Sequence, residues 1–242
     1  MATLMPPADL RAQTAGTDNI EWFHASGRIT CDVWNAALVS VGHQLSDFGT
    51  VLDFGCGPGR VLRWLQARFP RARFVACDND PAAIAWIRTH YPSVEVVTTA
   101  TDGLPPMPVE RDAIDLVLAF SVFTHLDVPY QDAWLSELQR VLRPGGFLLA
   151  SISGPRMLHH TRYRSGHGNL DELERQLPAL ATDGVVHWRG DGWERAFPDY
   201  YHTTFHTHDY IRRHWSSWFD VLAIDDDTPE VLPQDVVVLR HR

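Results

Sequence analysis

The nine residues Val51-Leu52-Asp53-Phe54-Gly55-Cys56-Gly57-Pro58-Gly59 constrain this chain more than any other stretch. Thr50–Phe54 has the length and apolar character of a buried strand, and three glycines follow within five positions. Glycine accepts left-handed backbone and leaves no Cβ between the main chain and a ligand. A helix is then expected over 58–68, with proline in its first turn. Asp78 closes the next apolar run, 19 residues after Gly59. A carboxylate placed there can accept hydrogen bonds from both hydroxyls of a ribose. The glycine spacing is Gly-x-Gly-x-Gly, and Arg60 stands where a nicotinamide fingerprint has its third glycine. A nicotinamide-dependent oxidoreductase is therefore disfavoured.

The alternation continues downstream. Strands are expected at Phe74–Cys77, Val94–Thr98, Ala113–Phe120 and Phe147–Ile152. Helices are expected at Asp80–His90, with Asp80 as N-cap and Pro81 in the first turn, and at Tyr130–Leu142. A proline-rich loop covers 101–112, and Pro144-Gly145-Gly146 makes a sharp turn. Five apolar strands alternating with helices argue for a parallel sheet covered on both faces. Residues 1–27 read as irregular and 28–46 as a helix. Residues 155–205 show no clean period; a helix at Thr207–Trp218 and strands at Val221–Ile224 and Asp235–Arg240 follow.

Composition narrows the function. The 242 residues carry a net charge of −9, which disfavours a nucleic-acid surface. All 21 basic residues are arginine, so chemistries that need a lysine amine are excluded. Cys31, Cys56 and Cys77 are odd in number and widely spaced, which fits a reducing compartment. Neither a secretory leader nor an apolar membrane span is evident, so a cytoplasmic protein is expected, without membrane association.

With VLDFGCGPGR, CDNDP, PPMPVERDAIDLVLAFSVFTHL and WLSELQRVLRPGGFLLAS in that order, the chain resembles the class I S-adenosylmethionine-dependent methyltransferases over about residues 30–152. It is similar also to a bacterial small-molecule subgroup with FTHL after strand four. The resemblance implies a Rossmann-like, doubly wound α/β fold with a seven-stranded, mostly parallel sheet. Its last strand, QDVVVLR, would be antiparallel, and a small lid insertion, about 155–205, would lie between strands five and six. The domain would span 28–242. It implies S-adenosyl-L-methionine as cofactor. Gly55, Gly57 and Gly59, with Cys56 between them, would line its methionine portion, and Asp53 would fix the loop or the amino group. Asp78 would hold the ribose and Asn79 would sit against the adenine. Thr101 and Asp102 fall where the family contacts the adenine amine, and Ser121 where strand four passes the methionine tail.

The expected reaction is in-line methyl transfer to a small molecule, at oxygen, with nitrogen as second choice. A hydroxyl acceptor benefits from a base, and His125, His202 and His206 are the candidates. Metal ligation is not expected, because three ligands would have to converge from a segment with no helical period. The stretch 188–219 holds ten aromatics in 32 residues, which suits an apolar acceptor pocket or the core of a lid. Arg156, Arg162 and Arg164 are candidate cationic contacts. The alternative to an enzyme is a cofactor-binding regulatory or assembly protein. Acceptor identity and oligomeric state stay open.

Overall fold

The computed structural model describes residues 5–100, 103–163, 170–189 and 200–242. Its centre is a seven-stranded sheet. Strands β1 (Thr50–Phe54), β2 (Arg73–Asp78), β3 (Glu95–Thr98), β4 (Ile114–Ala119) and β5 (Leu142–Ile152) pair in parallel in the order β3-β2-β1-β4-β5. The sheet continues through β9 (Asp235–His241), antiparallel to β5, and ends at β8 (Phe219–Asp225), antiparallel to β9. The doubly wound arrangement with an antiparallel last strand is thus observed. The turn at Pro144–Gly146 lies inside β5, as a register shift between Leu142 and Phe147.

Both faces of the sheet are covered, which is why its strands are apolar at nearly every position. On one face, helices α2 (Ile20–Ser40), α3 (Leu62–Arg68) and α4 (Pro81–His90) set Trp34, Leu38, Leu65 and Ile87 against Val51, Ala76, Leu116 and Leu149. On the other, α5 (Val128–Val141) and α8 (His208–His214) set Trp134, Leu138, Ile211 and the adjacent Trp215 against Leu52, Val117, Leu148 and Val237. The expected cap of α4 is present, since the Asp80 side chain accepts from Ala82 N, with Pro81 in the first turn.

The amino-terminal segment differs from expectation. It is not irregular over its described residues, because α1 (Ala8–Ala15) precedes α2, which begins at Ile20 rather than 28. Asn19 caps α2 by accepting from Trp22 N, and Gly16, at φ 69°, ends α1. Gly27 reads as a breaker in sequence, yet it lies inside α2. A Cβ there would stand 2.0 Å from the Arg60 carbonyl oxygen, so Gly27 lets α2 meet the start of α3 backbone to backbone.

The insertion after β5 is also more regular than its sequence suggests. It contains α6 (Pro155–Tyr163), α7 (Leu170–Asp183) and an antiparallel pair, β6 (Val185–Trp188) with β7 (Thr203–His206). Pro178 inside α7 masks a helical stripe whose Leu173 and Leu180 pack with Val186, Trp188 and Phe205 in a separate small core. Isolated bridges Leu126–Tyr201 and Ser153–Phe205 tie this unit to the ends of β4 and β5.

Candidate functional site

Strands β2 and β3 extend the sheet to one side of β1, and β4 and β5 to the other. Ligands of open α/β sheets bind where this reversal opens a crevice at the carboxyl ends of the strands. Here that crevice is flanked by Asp53 and Gly55 from β1, Asp78 and Asn79 from β2, and Ser121 and Val122 from β4.

Gly55, Gly57 and Gly59 have φ of 76°, 51° and 86°, so each needs the freedom of glycine. Space adds to the demand. A Cβ on Gly55 would meet Val122 Cγ2 at 2.4 Å, and one on Gly57 would meet Thr14 Cγ2 at 2.9 Å. The turn is held by Asp78, whose Oδ2 accepts from Gly57 N at 2.7 Å while Oδ1 accepts from Asp80 N at 2.9 Å. Burial raises the Asp78 carboxyl above its ordinary range, and those backbone donors pull it partly back. Cys56 is buried between the glycines, and burial holds its thiol protonated.

Asp53 is 3% exposed, and its Oδ2 has no hydrogen-bond partner among the described residues. Burial, reinforced by the Asp78 carboxylate and opposed by the Arg60 guanidinium, pushes its carboxyl up to about 7. Arg60 makes no ion pair with it among the described residues. Its guanidinium lies 4.6 Å from the centre of the Phe120 ring. A buried carboxyl with a spare acceptor beside a glycine turn is suited to a cationic group of a ligand.

Ser121 has φ 58° and stands at the hub of a polar network. Its N–H donates to Ser151 Oγ at 2.7 Å, and its Oγ accepts from Gln234 Nε2 at 3.0 Å. The same oxygen lies 3.4 Å from His125 Nε2. His125 Nδ1 is 2.9 Å from the His202 carbonyl oxygen, which selects the tautomer with Nδ1–H and leaves Nε2 as acceptor. Burial lowers His125 to about 4, partly offset by that carbonyl. Tyr201 stacks on the imidazole at 4.3 Å and 11°.

His202 comes to this site through its backbone, and its ring faces His187 at 5.6 Å between centroids. His206 does not come to it. It is 2% exposed, bonded to the Gln131 side chain, and packed near Tyr210 and Trp215, which places it among the core side chains. Burial lowers it to about 3. His208 pairs with the buried Asp235 at 2.7 Å, so the three histidines do not converge. Arg156 is bonded to Thr228 and Arg162 to Glu174. Thr101, Asp102 and Arg164 lie outside the described residues. The sequence reading missed Thr14, Ser151, Gln234 and the specific place of Tyr200 and Tyr201. Only the two tyrosines had a signal, in the aromatic-rich stretch.

Residues 51–146 match the model of the methyltransferase domain family. This stretch is a methyltransferase domain. Among relatives, malonyl-[acyl-carrier protein] O-methyltransferase of Hahella chejuensis is 30% identical over 60% of the chain and 53% of its own length. Trans-aconitate 2-methyltransferase of Azoarcus sp. is 35% identical over 50% of the chain and 44% of its own length. The chain thus spans about half the length of these curated relatives. Magnesium protoporphyrin IX methyltransferase from Synechocystis, solved with bound S-adenosylhomocysteine, shares the fold. Its TM-score is 0.59 at 16% identity, over 97% of this chain and 94% of that one. Among the described residues, no helix is long and apolar enough to cross a membrane.

Proposed function

We propose that the chain transfers the methyl group of S-adenosylmethionine to a small-molecule acceptor, at oxygen. One observation carries the reading: within a domain of this family, Asp53 and Asp78 flank three left-handed glycines at the reversal point of the sheet, and Asp53 keeps a buried acceptor free. That vacancy suits the ammonium of the methionine portion, and the glycine turn admits its close approach. The cofactor supplies a methyl group already activated by the sulfonium.

The chain's part is to bind, align and keep water out. Asp78 would hold the ribose hydroxyls and Asn79 would flank the base, with Thr101 and Asp102 assigned to the adenine amine by resemblance. Gly55, Cys56, Gly57 and Gly59 would present main chain to the methionine portion beside Ser121. His125 would offer Nε2 to the proton of an acceptor hydroxyl. Its lowered basicity makes it a hydrogen-bond acceptor at neutral pH, suited to orienting the nucleophile more than to taking a full proton. Three relatives are named for O-methylation, which supports oxygen as the acceptor atom.

Calorimetric titration with S-adenosylhomocysteine tests the site. Asp78→Ala should weaken binding by more than about tenfold, the loss of one charge-assisted contact pair. Unchanged affinity would overturn the assignment. Activity is read as S-adenosylhomocysteine released from S-adenosylmethionine with a panel of small acids, alcohols and amines.

A further inference from the structure

We propose that Tyr200 and Tyr201 form the roof of the nucleoside cleft, so that the insertion after β5 binds the cofactor. This rests on the cofactor reading above, and it assigns a role to two residues outside the glycine turn and its acids.

The two adjacent side chains touch all three loops that end β2, β3 and β4. The Tyr200 hydroxyl accepts from Asn79 Nδ2 at 3.1 Å, which reaches the loop after β2. Its ring lies on Gly103, after β3. A Cβ there would stand 2.7–2.9 Å from the ring and hydroxyl, and φ is 76°, so position 103 is glycine because Tyr200 covers it. Gly103 is fixed independently, since Trp134 Nε1 donates to its carbonyl at 2.8 Å. Tyr130 stacks on Tyr200 at 4.7 Å and 18°. Tyr130 and Trp134 are one turn apart on α5, so one helix face supports both the roof and the loop it covers.

Tyr201 reaches the remaining loop. It stacks on His125, bridges to Leu126 through the backbone, and lies near enough to Asp78 for that carboxylate to disfavour its ionisation, after burial itself. The pair therefore spans from the acid assigned to the ribose, past the loop beside the base, to the histidine facing the acceptor. A nucleoside offers a flat π surface and two hydroxyls, and aromatic rings carrying phenol groups match both. Because Tyr201 and His202 lead into β7, a ligand held against Tyr200 would also fix the segment whose His202 carbonyl holds His125 Nδ1.

Binding of S-adenosylhomocysteine and of 5′-methylthioadenosine separates the roof from the rest of the site, since the second compound keeps the nucleoside and lacks the amino acid. Tyr200→Ala should weaken both by about tenfold and by the same factor, the usual worth of one base–aromatic contact. Tyr200→Phe keeps the ring and should cost both only about twofold to threefold. Hydrogen exchange of the wild-type protein, which needs no variant, should slow at 200–206 on adding either compound. Unchanged or tighter binding by Tyr200→Ala, or unaltered exchange at 200–206 in the liganded wild type, would overturn the roof while leaving Asp78 and the glycine turn in place. Absence of any binding by the wild type would sink the cofactor reading itself.

Discussion

Two buried side chains give this protein opposing responses to pH. His206 titrates at about 3 in the folded chain, because burial opposes its charge, against 6.5 ordinarily. Below about 6.5 the unfolded chain takes up a proton that the folded chain refuses, so this residue makes stability fall as pH falls from about 6.5 towards 3. Asp53 acts with the other sign. Its folded value of about 7 exceeds the ordinary 3.8, so the folded chain retains a proton that the unfolded chain releases. Stability from this residue falls as pH rises from about 4 to 7. Each unit of difference corresponds to about 1.4 kcal/mol. Melting temperature followed from pH 4.5 to 7.5 separates the two. His206→Asn should flatten the acid limb, whereas Asp53→Asn should steepen the rise with pH and leave the variant more stable at pH 7. Equal slopes in both variants would refute the assignment. The glycines and Asp78 were legible in sequence because a backbone conformation and a spacing fix them. His206 was not, because its role depends on Gln131, which is 75 positions away in the chain.

At the scale of elements, the contact between α2 and the start of α3 is closer than any side chain allows. A methyl at position 27 would fall 2.0 Å from the Arg60 carbonyl and 3.2 Å from Trp64 Cδ1. Gly27→Ala should therefore destabilise the chain by about 1–3 kcal/mol, although alanine is the better helix former, and denaturant unfolding will measure it. Because Arg60 directly follows the glycine turn, the same change should also weaken S-adenosylhomocysteine binding. Stabilisation by Gly27→Ala would show that the helices separate freely. Sequence periodicity found β1 to β4, β8 and β9 to within a residue or two, but it began β5 five positions late, at Phe147 instead of Leu142, and misplaced the start of α2 by eight positions, from 28 to Ile20. The reason is specific. Gly27 carries the sequence mark of a break and the structural role of a contact, and only the approach of a distant segment distinguishes the two. Pro178 hid α7 in the same way. The hairpin of β6 and β7 was hidden because its partner residues, Val185 to His206 and Trp188 to Thr203, are joined by a long connection rather than a tight turn.

For the whole molecule, the parallel half of the sheet could be read from the alternation of strand and helix. Its far edge rested on resemblance, since nothing local says that β9 enters between β5 and β8. The insertion contributes a second, smaller core and reaches the proposed site through Tyr200, Tyr201 and the His202 backbone, so the proposed cofactor and acceptor positions would share one wall. Arrangement in space also gives residues 235–242 more weight than their number suggests. Removing them should expose both neighbouring strands and abolish the cooperative melt, as read by circular dichroism; a retained sharp transition would show that β5 and β8 stand without them.

The position of β9 has a consequence for how the chain is made. Among the described residues β8 has β9 as its sole strand partner in the sheet, and β9 is the later of the two in the chain. During synthesis β8 therefore leaves the ribosome with no ladder to join, and the exposed edge of β5 waits through more than eighty residues for its neighbour. The floor of the proposed crevice, from β1, β2 and β4, can assemble before that edge is sealed, and Tyr200 and Tyr201 join it later, with Gln234 last. Until Asp235–His241 emerges, the nascent chain carries an open β-edge beside a nearly complete ligand site, which is the interval in which a chaperone or an early-bound cofactor would matter most.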